Sequence, residues 1–151
     1  MISLSSVDTL SWVIGDLKPS KSGGKQAAIC TDAGIPEIQL TPTDTPLRIL
    51  WHPSAYQDTA ATRLNCTLAL DGNTAGGLNL IDLWVLQYVT ENLSRLFPGK
   101  TAEDVAKMYK PIVSIGPHGV TARAKLNTTG PTACRLWNDQ VPRGALQLDS
   151  T

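Results

Sequence analysis

The sequence has few charged residues, few aromatic residues and no long apolar run. Charged side chains make up 17% of its 151 residues, and aromatic ones make up 5%. No apolar run approaches the roughly 18 residues of a membrane-spanning helix, so we expect no membrane partner. Thirteen basic and thirteen acidic side chains cancel to a net charge of zero. That balance excludes a surface that is basic all over, but it is compatible with a locally basic face.

Cysteine is also scarce, with Cys30, Cys66 and Cys134 far apart in the chain. An odd number at wide spacing gives neither a disulfide framework nor a CxxC metal site. We interpret the three as small buried side chains in a reducing compartment. The first residues hold no basic start followed by an apolar run, so we expect an intracellular protein that is not secreted.

Groups that support catalysis are few. The two histidines, His52 and His118, each lie beside a proline. Neither belongs to an HxH or HExxH pattern, so we expect no zinc site. No GxSxG turn is present, and no cysteine has the sequence context of a nucleophile. The sequence therefore predicts a protein that is not an enzyme and has no cofactor or metal. An enzyme subunit whose site is completed by a partner chain is a weaker alternative.

What the chain does contain favours many short elements. Apolar residues reach 42%, which is enough for a core, and twelve glycines and ten prolines provide turns. We predict one α+β, mainly β domain over 1–151, with 1–20 as a loosely packed arm. Strands are predicted at Trp12–Ile14, Gln26–Cys30, Glu37–Leu40, Leu47–Trp51, Arg63–Leu70, Ile112–Ile115, Val120–Leu126 and Thr132–Trp137, with a short tail strand at Leu146–Leu148.

Two helices are predicted in the middle of the chain, as an insert over 79–109. The first covers 79–97, where apolar side chains recur at helical spacing, and it follows a turn at Asp71-Gly72-Asn73. The apolar stripe is Leu80, Leu83, Trp84, Tyr88, Leu93, Leu96 and Phe97. Thr101 to Asp104 resembles a capping box for a second helix that ends near Tyr109.

The charge is distributed unevenly. Residues 95–143 carry eight basic and three acidic side chains, whereas residues 1–94 carry five and nine. Period-two alternation places Arg123 and Lys125 on one side of a strand. Arg135 is then expected on a partner strand, with Trp137 two residues further on. Basic side chains beside an aromatic ring suit single-stranded nucleic acid. The alternative is a solvated sheet face with Trp137 in the core.

Two further segments have alternative interpretations. Lys21 and Lys25 flank Gly23-Gly24 without Walker A spacing, and they predict either an exposed turn or a mobile loop that contacts phosphate. The irregular segment from Trp51 to Tyr56 predicts either a stacking wall or a cover for one end of a barrel.

Several segments taken in order resemble the OB-fold single-stranded DNA-binding proteins of large DNA viruses and phages. They are Lys21-Ser22-Gly23-Gly24-Lys25-Gln26, the strand ending near Leu50, the strand 63–70, the helix with Ile81-Asp82, Tyr109-Lys110-Pro111-Ile112-Val113, Thr121-Ala122-Arg123-Ala124-Lys125-Leu126 and Cys134-Arg135-Leu136-Trp137-Asn138-Asp139. The resemblance implies an antiparallel OB-like barrel decorated by the two-helix insert. It also implies a role in replication or recombination, in the cytoplasm, the nucleus or a viral factory.

The sequence thus predicts a homo-oligomer that binds single-stranded DNA or RNA without sequence preference. The predicted phosphate contacts are Lys21, Lys25, Lys110, Arg123, Lys125 and Arg135. Stacking is predicted on Trp51, Tyr56 or Trp137. The alternative is a self-assembling structural protein, such as a virion or coat-like subunit, which low charge and zero net charge would suit.

Overall fold

The computed structural model describes residues 2–21, 23–41, 46–51, 53, 63–131, 133–134, 136–138 and 141–146, the last two ranges by their backbone alone. The chain divides into two compact units. The first comprises Met1–Pro46 and Asp71–Val113, and the second comprises Leu47–Leu70 and Ser114–Thr151. The helical segment predicted over 79–109 lies within the first unit.

The described elements are short, apart from one helix and two strands. The strands are β1 (Ile2–Ser3), β2 (Val13–Ile14), β3 (Lys18–Pro19), β4 (Lys25–Gln26), β5 (Ile29–Cys30), β6 (Ile38–Gln39), β7 (Arg48–Ile49), β8 (Arg63–Ala69), β9 (Val113–Gly116), β10 (Gly119–Asn127), β11 (Leu136–Asn138) and β12 (Val141–Leu146). The α-helices are α1 (Gly72–Glu91), α2 (Leu93–Leu96) and α3 (Ala102–Met108), and two short 3₁₀ turns cover Leu4–Ser6 and Thr9–Ser11.

Helix α1 begins seven residues before its predicted start, so the turn predicted at Asp71-Gly72-Asn73 is wrong. Asp71 is instead the N-cap, and its carboxylate accepts the Thr74 N–H at 2.7 Å. Aspartate and glycine are typical both of turns and of helix starts, and here the hydrogen bond from the Thr74 N–H to Asp71 stabilises the start of a helix. Gly77 lies against the side chain of Leu4, and a Cβ there would come within 2.7 Å of Leu4 Cγ.

The buried face of α1 differs from the predicted stripe. Leu78, Ile81 and Val89 are buried, whereas Leu80 and Leu83 are 66% and 55% exposed. The helix is apolar on most sides, so apolar spacing alone did not select the face that packs. Contacts with the N-terminal segment and with α2 and α3 bury this face instead.

The predicted helix over 79–97 is interrupted. Helix α1 ends at Asn92, whose backbone leaves helical geometry and whose amide donates to the Tyr88 carbonyl at 2.8 Å. The single turn of α2 follows. Helix α3 starts with the predicted capping box, in which Thr101 and Asp104 bond each other's backbone N–H groups.

The N-terminal segment predicted as a loose arm belongs to the packed first unit. Its Leu4, Trp12 and Ile14 are each at most 8% exposed. Ile14 packs in one cluster with Val89, Leu96 and Val105 from the helices. The segment is also held by two-stranded ladders, which join β1 to β6 in parallel and β2 to β5 and β3 to β4 antiparallel.

The second unit contains a four-stranded sheet in the order β7-β8-β10-β9. The strands β8 and β10 pair antiparallel over seven residues, and β7 pairs antiparallel with the C-terminal end of β8. Leu64, Cys66 and Ala122 are buried on one face. This confirms the alternation predicted for both long strands.

The predicted α+β class is confirmed, with mostly antiparallel sheets and few helices. The described strands close no barrel. The strand that contains Trp137 also departs from the prediction, because β11 pairs with β12 rather than with β10. Within the described ranges, no helix has both the length and the apolar character needed to cross a bilayer.

Candidate functional site

The outward face of β7, β8 and β10 carries basic side chains in regular rows. Directly opposed residues of an antiparallel sheet project to the same face, and every second residue along a strand returns to it. The observed register therefore sets out four successive rows. They are Arg48 with Ala69 and Thr121; Thr67 with Arg123; Asn65 with Lys125; and Arg63 with Asn127. Each row holds one cation, and we call this surface the basic sheet face.

Burial supports this assignment of faces. The four cations of the basic sheet face are all exposed, whereas Leu64, Cys66 and Ala122 at the alternate positions are at most 4% exposed. The rise of an antiparallel strand puts neighbouring rows about 6.8 Å apart, so four rows extend over about 20 Å. The face thus carries one positive charge in each row, spread over three strands, and the buried side chains at the alternate positions are apolar.

Nothing acidic opposes these cations within the sheet. The sequences of β7, β8, β9 and β10 contain no aspartate or glutamate. In the part of the chain that the structure describes, the ion pairs are Arg95–Asp16 and Lys107–Glu103, and both lie in the first unit. Among the described residues, the cations of the basic sheet face therefore take part in no ion pair.

The sequence predicted half of this face. Arg123 and Lys125 lie two residues apart on one side of β10, as expected. Arg48 and Arg63 were missed, although each occupies the polar phase of a predicted strand. The missing information was the register, because periodicity assigns a face within each strand but does not say which strands are neighbours. The prediction paired β10 with the strand containing Trp137, whereas its neighbours are β8 and β9.

One predicted stacking residue is exposed in the same unit. Trp51 is 54% exposed, and its ring meets that of His118 edge to face with centroids 5.2 Å apart. His118 lies in the turn between β9 and β10. Edge-to-face packing orients the Trp51 ring while half of its surface stays open to solvent. An exposed indole ring is a surface on which a base can stack.

Three predicted phosphate contacts belong to the other unit. Lys21 and Lys25 flank the β3–β4 turn, which closes through the bond from the Ser20 N–H to the Gly24 carbonyl at 2.9 Å. Gly23 there has a positive φ of 93°, which glycine tolerates at no steric cost. Lys110 follows α3. All three side chains are exposed, but none belongs to the sheet that carries Arg123 and Lys125.

The remaining predicted contacts, Tyr56, Arg135 and the side chain of Trp137, lie outside the described residues. His52, one of the two histidines, does so too. These predictions stay predictions.

Groups for metal or nucleophilic chemistry do not converge in the described part of the chain, where no cluster of three metal-ligating side chains is present. Burial raises the pKa of the Cys66 thiol, and nearby Cys134 adds to the shift. A protonated thiol is a poor nucleophile. Buried Asp82 has its oxygens occupied by Tyr109 and by the backbone N–H groups of Ile112 and Val113.

Comparison of the chain with models of protein families, with curated proteins and with solved structures finds no match.

Proposed function

We propose that the protein binds single-stranded nucleic acid, DNA in the first instance, without sequence preference. The observation that carries the proposal is the pair Arg123 and Lys125, exposed together on a sheet that contains no acidic residue. Such a surface attracts phosphates, and its attraction does not depend on the bases. An exposed aromatic ring, Trp51, adds a stacking surface in the same unit. The predicted OB-like barrel stays a prediction.

The test is a titration with a poly-dT oligonucleotide, followed by fluorescence anisotropy at about 50 and about 200 mM salt. We expect binding that weakens steeply with salt, and a clear loss of affinity in the double variant Arg123→Ala, Lys125→Ala. The matched control is Lys100→Ala, Lys107→Ala, which removes two exposed cations from the first unit. An unchanged affinity in the first variant would reject the face.

Trp51 gives a second readout. Its emission should be quenched as a base stacks on the ring, whereas Trp12 is only 4% exposed and should respond little. Trp51→Phe should remove most of the quenching and leave the anisotropy change largely in place. Quenching that survives this substitution would assign the stacking to another tryptophan.

Self-assembly is the second candidate, and the exposed apolar side of α1 favours it. Leu80 and Leu83 lie one helical turn apart, and Leu10 in the same unit is 92% exposed. Exposed apolar clusters often mark protein contacts. Light scattering after size exclusion, without nucleic acid, tests this role. A large assembly that Leu83→Glu dissociates would support it, and a monomer would exclude it.

A further inference from the structure

The cations of the basic sheet face are distributed one to a row, which non-specific attraction to phosphate does not require. They alternate between strands, with Arg48 on β7, Arg123 and Lys125 on β10, and Arg63 on β8. Despite this, each row of the sheet contains one cation and no row contains two. Successive rows are about 6.8 Å apart along the strands, and because adjacent strands lie about 4.8 Å apart, the cations form a band that steps sideways by up to about 10 Å rather than a straight line.

The side chains between these cations are short. Thr67, Asn65 and Thr121 offer neutral hydrogen-bonding groups, which suit phosphate and sugar oxygens. Ala69 adds no bulk. No aromatic side chain occurs in the four rows, so a base laid on this face would find no ring to stack on. Trp51, which lies beyond the end of β7, provides an exposed ring outside the rows.

Charge complementarity then selects the occupant. A band of separated cations that steps sideways between strands, with no acid in the four strands, suits a flexible chain of phosphates. A duplex is stiff over this length. A protein partner would have to supply acidic side chains at matching positions. A single polynucleotide strand carries a phosphate at every nucleotide and can bend to follow the steps.

We propose that Arg48 and Arg63 complete the binding site, and that the face holds the sugar–phosphate backbone of one strand along all four rows with its bases directed away. This inference rests on the proposed function and deepens it. It assigns two binding residues, and it makes the ligand a linear phosphodiester whose bases are dispensable on the sheet. Four phosphate contacts on a single strand correspond to a slope of about −2.8 in log K against log salt.

The experiment compares two labelled 12-mers of equal charge, oligo-dT and an abasic tetrahydrofuran phosphodiester, by anisotropy over a salt series. We expect the wild type to bind the abasic strand within a few-fold of oligo-dT. The double variant Arg48→Ala, Arg63→Ala should lose about ten-fold for both strands, and its slope should become shallower by about 1.4. Lys100→Ala, Lys107→Ala is the matched control and should bind like the wild type.

The variant Arg48→Lys, Arg63→Lys keeps the positive charge at both positions, so its salt slope should equal that of the wild type. If oligo-dT binds but the double alanine variant keeps the wild-type affinity and slope, the inference fails and the proposed function stands. A strong preference for oligo-dT over the abasic strand, or equal competition by a duplex, would also overturn the inference. Failure of the wild type to bind any of these strands would overturn both.

Discussion

The two units use their charged residues in opposite ways. The first holds seven basic and ten acidic side chains, and the second holds six and three. In the first unit, several charged side chains bond to the backbone: Asp71 and Asp104 cap helices, Arg95 bonds two carbonyls and Asp82 accepts two N–H groups. In the second unit, the cations of the basic sheet face stand exposed on an acid-free sheet. Several charges in the first unit therefore stabilise the fold, whereas the described cations of the second unit lie in strands that contain no acid.

Loss of the buried Asp82 carboxyl group should have the largest effect. It is 3% exposed, and it accepts the Tyr109 hydroxyl and, at 3.0 Å, the Ile112 N–H. Asp82→Ala leaves these partly buried donors without their partner and a cavity where the carboxyl group was, so the free energy of unfolding should fall by about 3 kcal/mol. Urea denaturation measures this. Asp82→Asn is the control and should lose less, because the amide oxygen still accepts. A loss of unfolding free energy no larger than that of a surface substitution would mean that Asp82 does not stabilise the first unit.

The second prediction concerns Arg95. Its guanidinium donates to the Ile14 carbonyl at 2.9 Å and to the Gly15 carbonyl at 3.0 Å, and so attaches the helical segment to β2. Arg95→Ala should cost about 2 kcal/mol of unfolding free energy, since hydrogen bonds from a charged donor are stronger than neutral ones.

The matched control for Arg95 is Lys107→Ala. The Lys107 ammonium pairs with Glu103 at 3.2 Å on an exposed surface, where such pairs contribute little. We expect a cost of about 0.3 kcal/mol. Equal costs for the two variants would mean that the backbone bonds of Arg95 add nothing beyond an ordinary surface pair.

Contacts between residues close together in the chain could be predicted from the sequence, whereas contacts between distant residues could not. The capping box at Thr101 and the alternation of β10 depend on residues close together in the chain, and both were predicted. Arg95 bonds to carbonyls some 80 residues away, and Arg48 joins Arg123 on one face only because β8 lies between their strands. Neither relation leaves a local pattern. The prediction of the buried face of α1 failed for another reason, because an almost uniformly apolar helix has no unique face to predict.

The third prediction is a pH dependence at Tyr109. Burial raises the pKa of its hydroxyl above the ordinary value, and the hydrogen bond to Asp82 adds to the shift. The stabilisation is therefore complete below the ordinary tyrosine pKa of about 10, and it is lost as the pH rises through the raised value of the folded state. Tyr109→Phe should cost about 1 kcal/mol at pH 8, and the difference from wild type should shrink as the pH rises above about 10. Urea denaturation across this range measures it, and a constant difference would contradict the assignment.

The smallest effect on stability is expected for the second unit. Arg123→Ala, Lys125→Ala removes two exposed cations that lie side by side on one strand with no acidic neighbour in the sheet. The free energy of unfolding should change by less than about 0.5 kcal/mol, because relief of like-charge repulsion offsets the weaker strand preference of alanine. Thermal denaturation, run beside the oligonucleotide titration, separates the two roles. A loss of stability as large as that of Arg95→Ala would make these cations part of the fold, and the main reason to regard the face as a ligand surface would disappear. Unchanged stability together with weakened binding would instead mean that these charges bind the oligonucleotide and do not stabilise the fold.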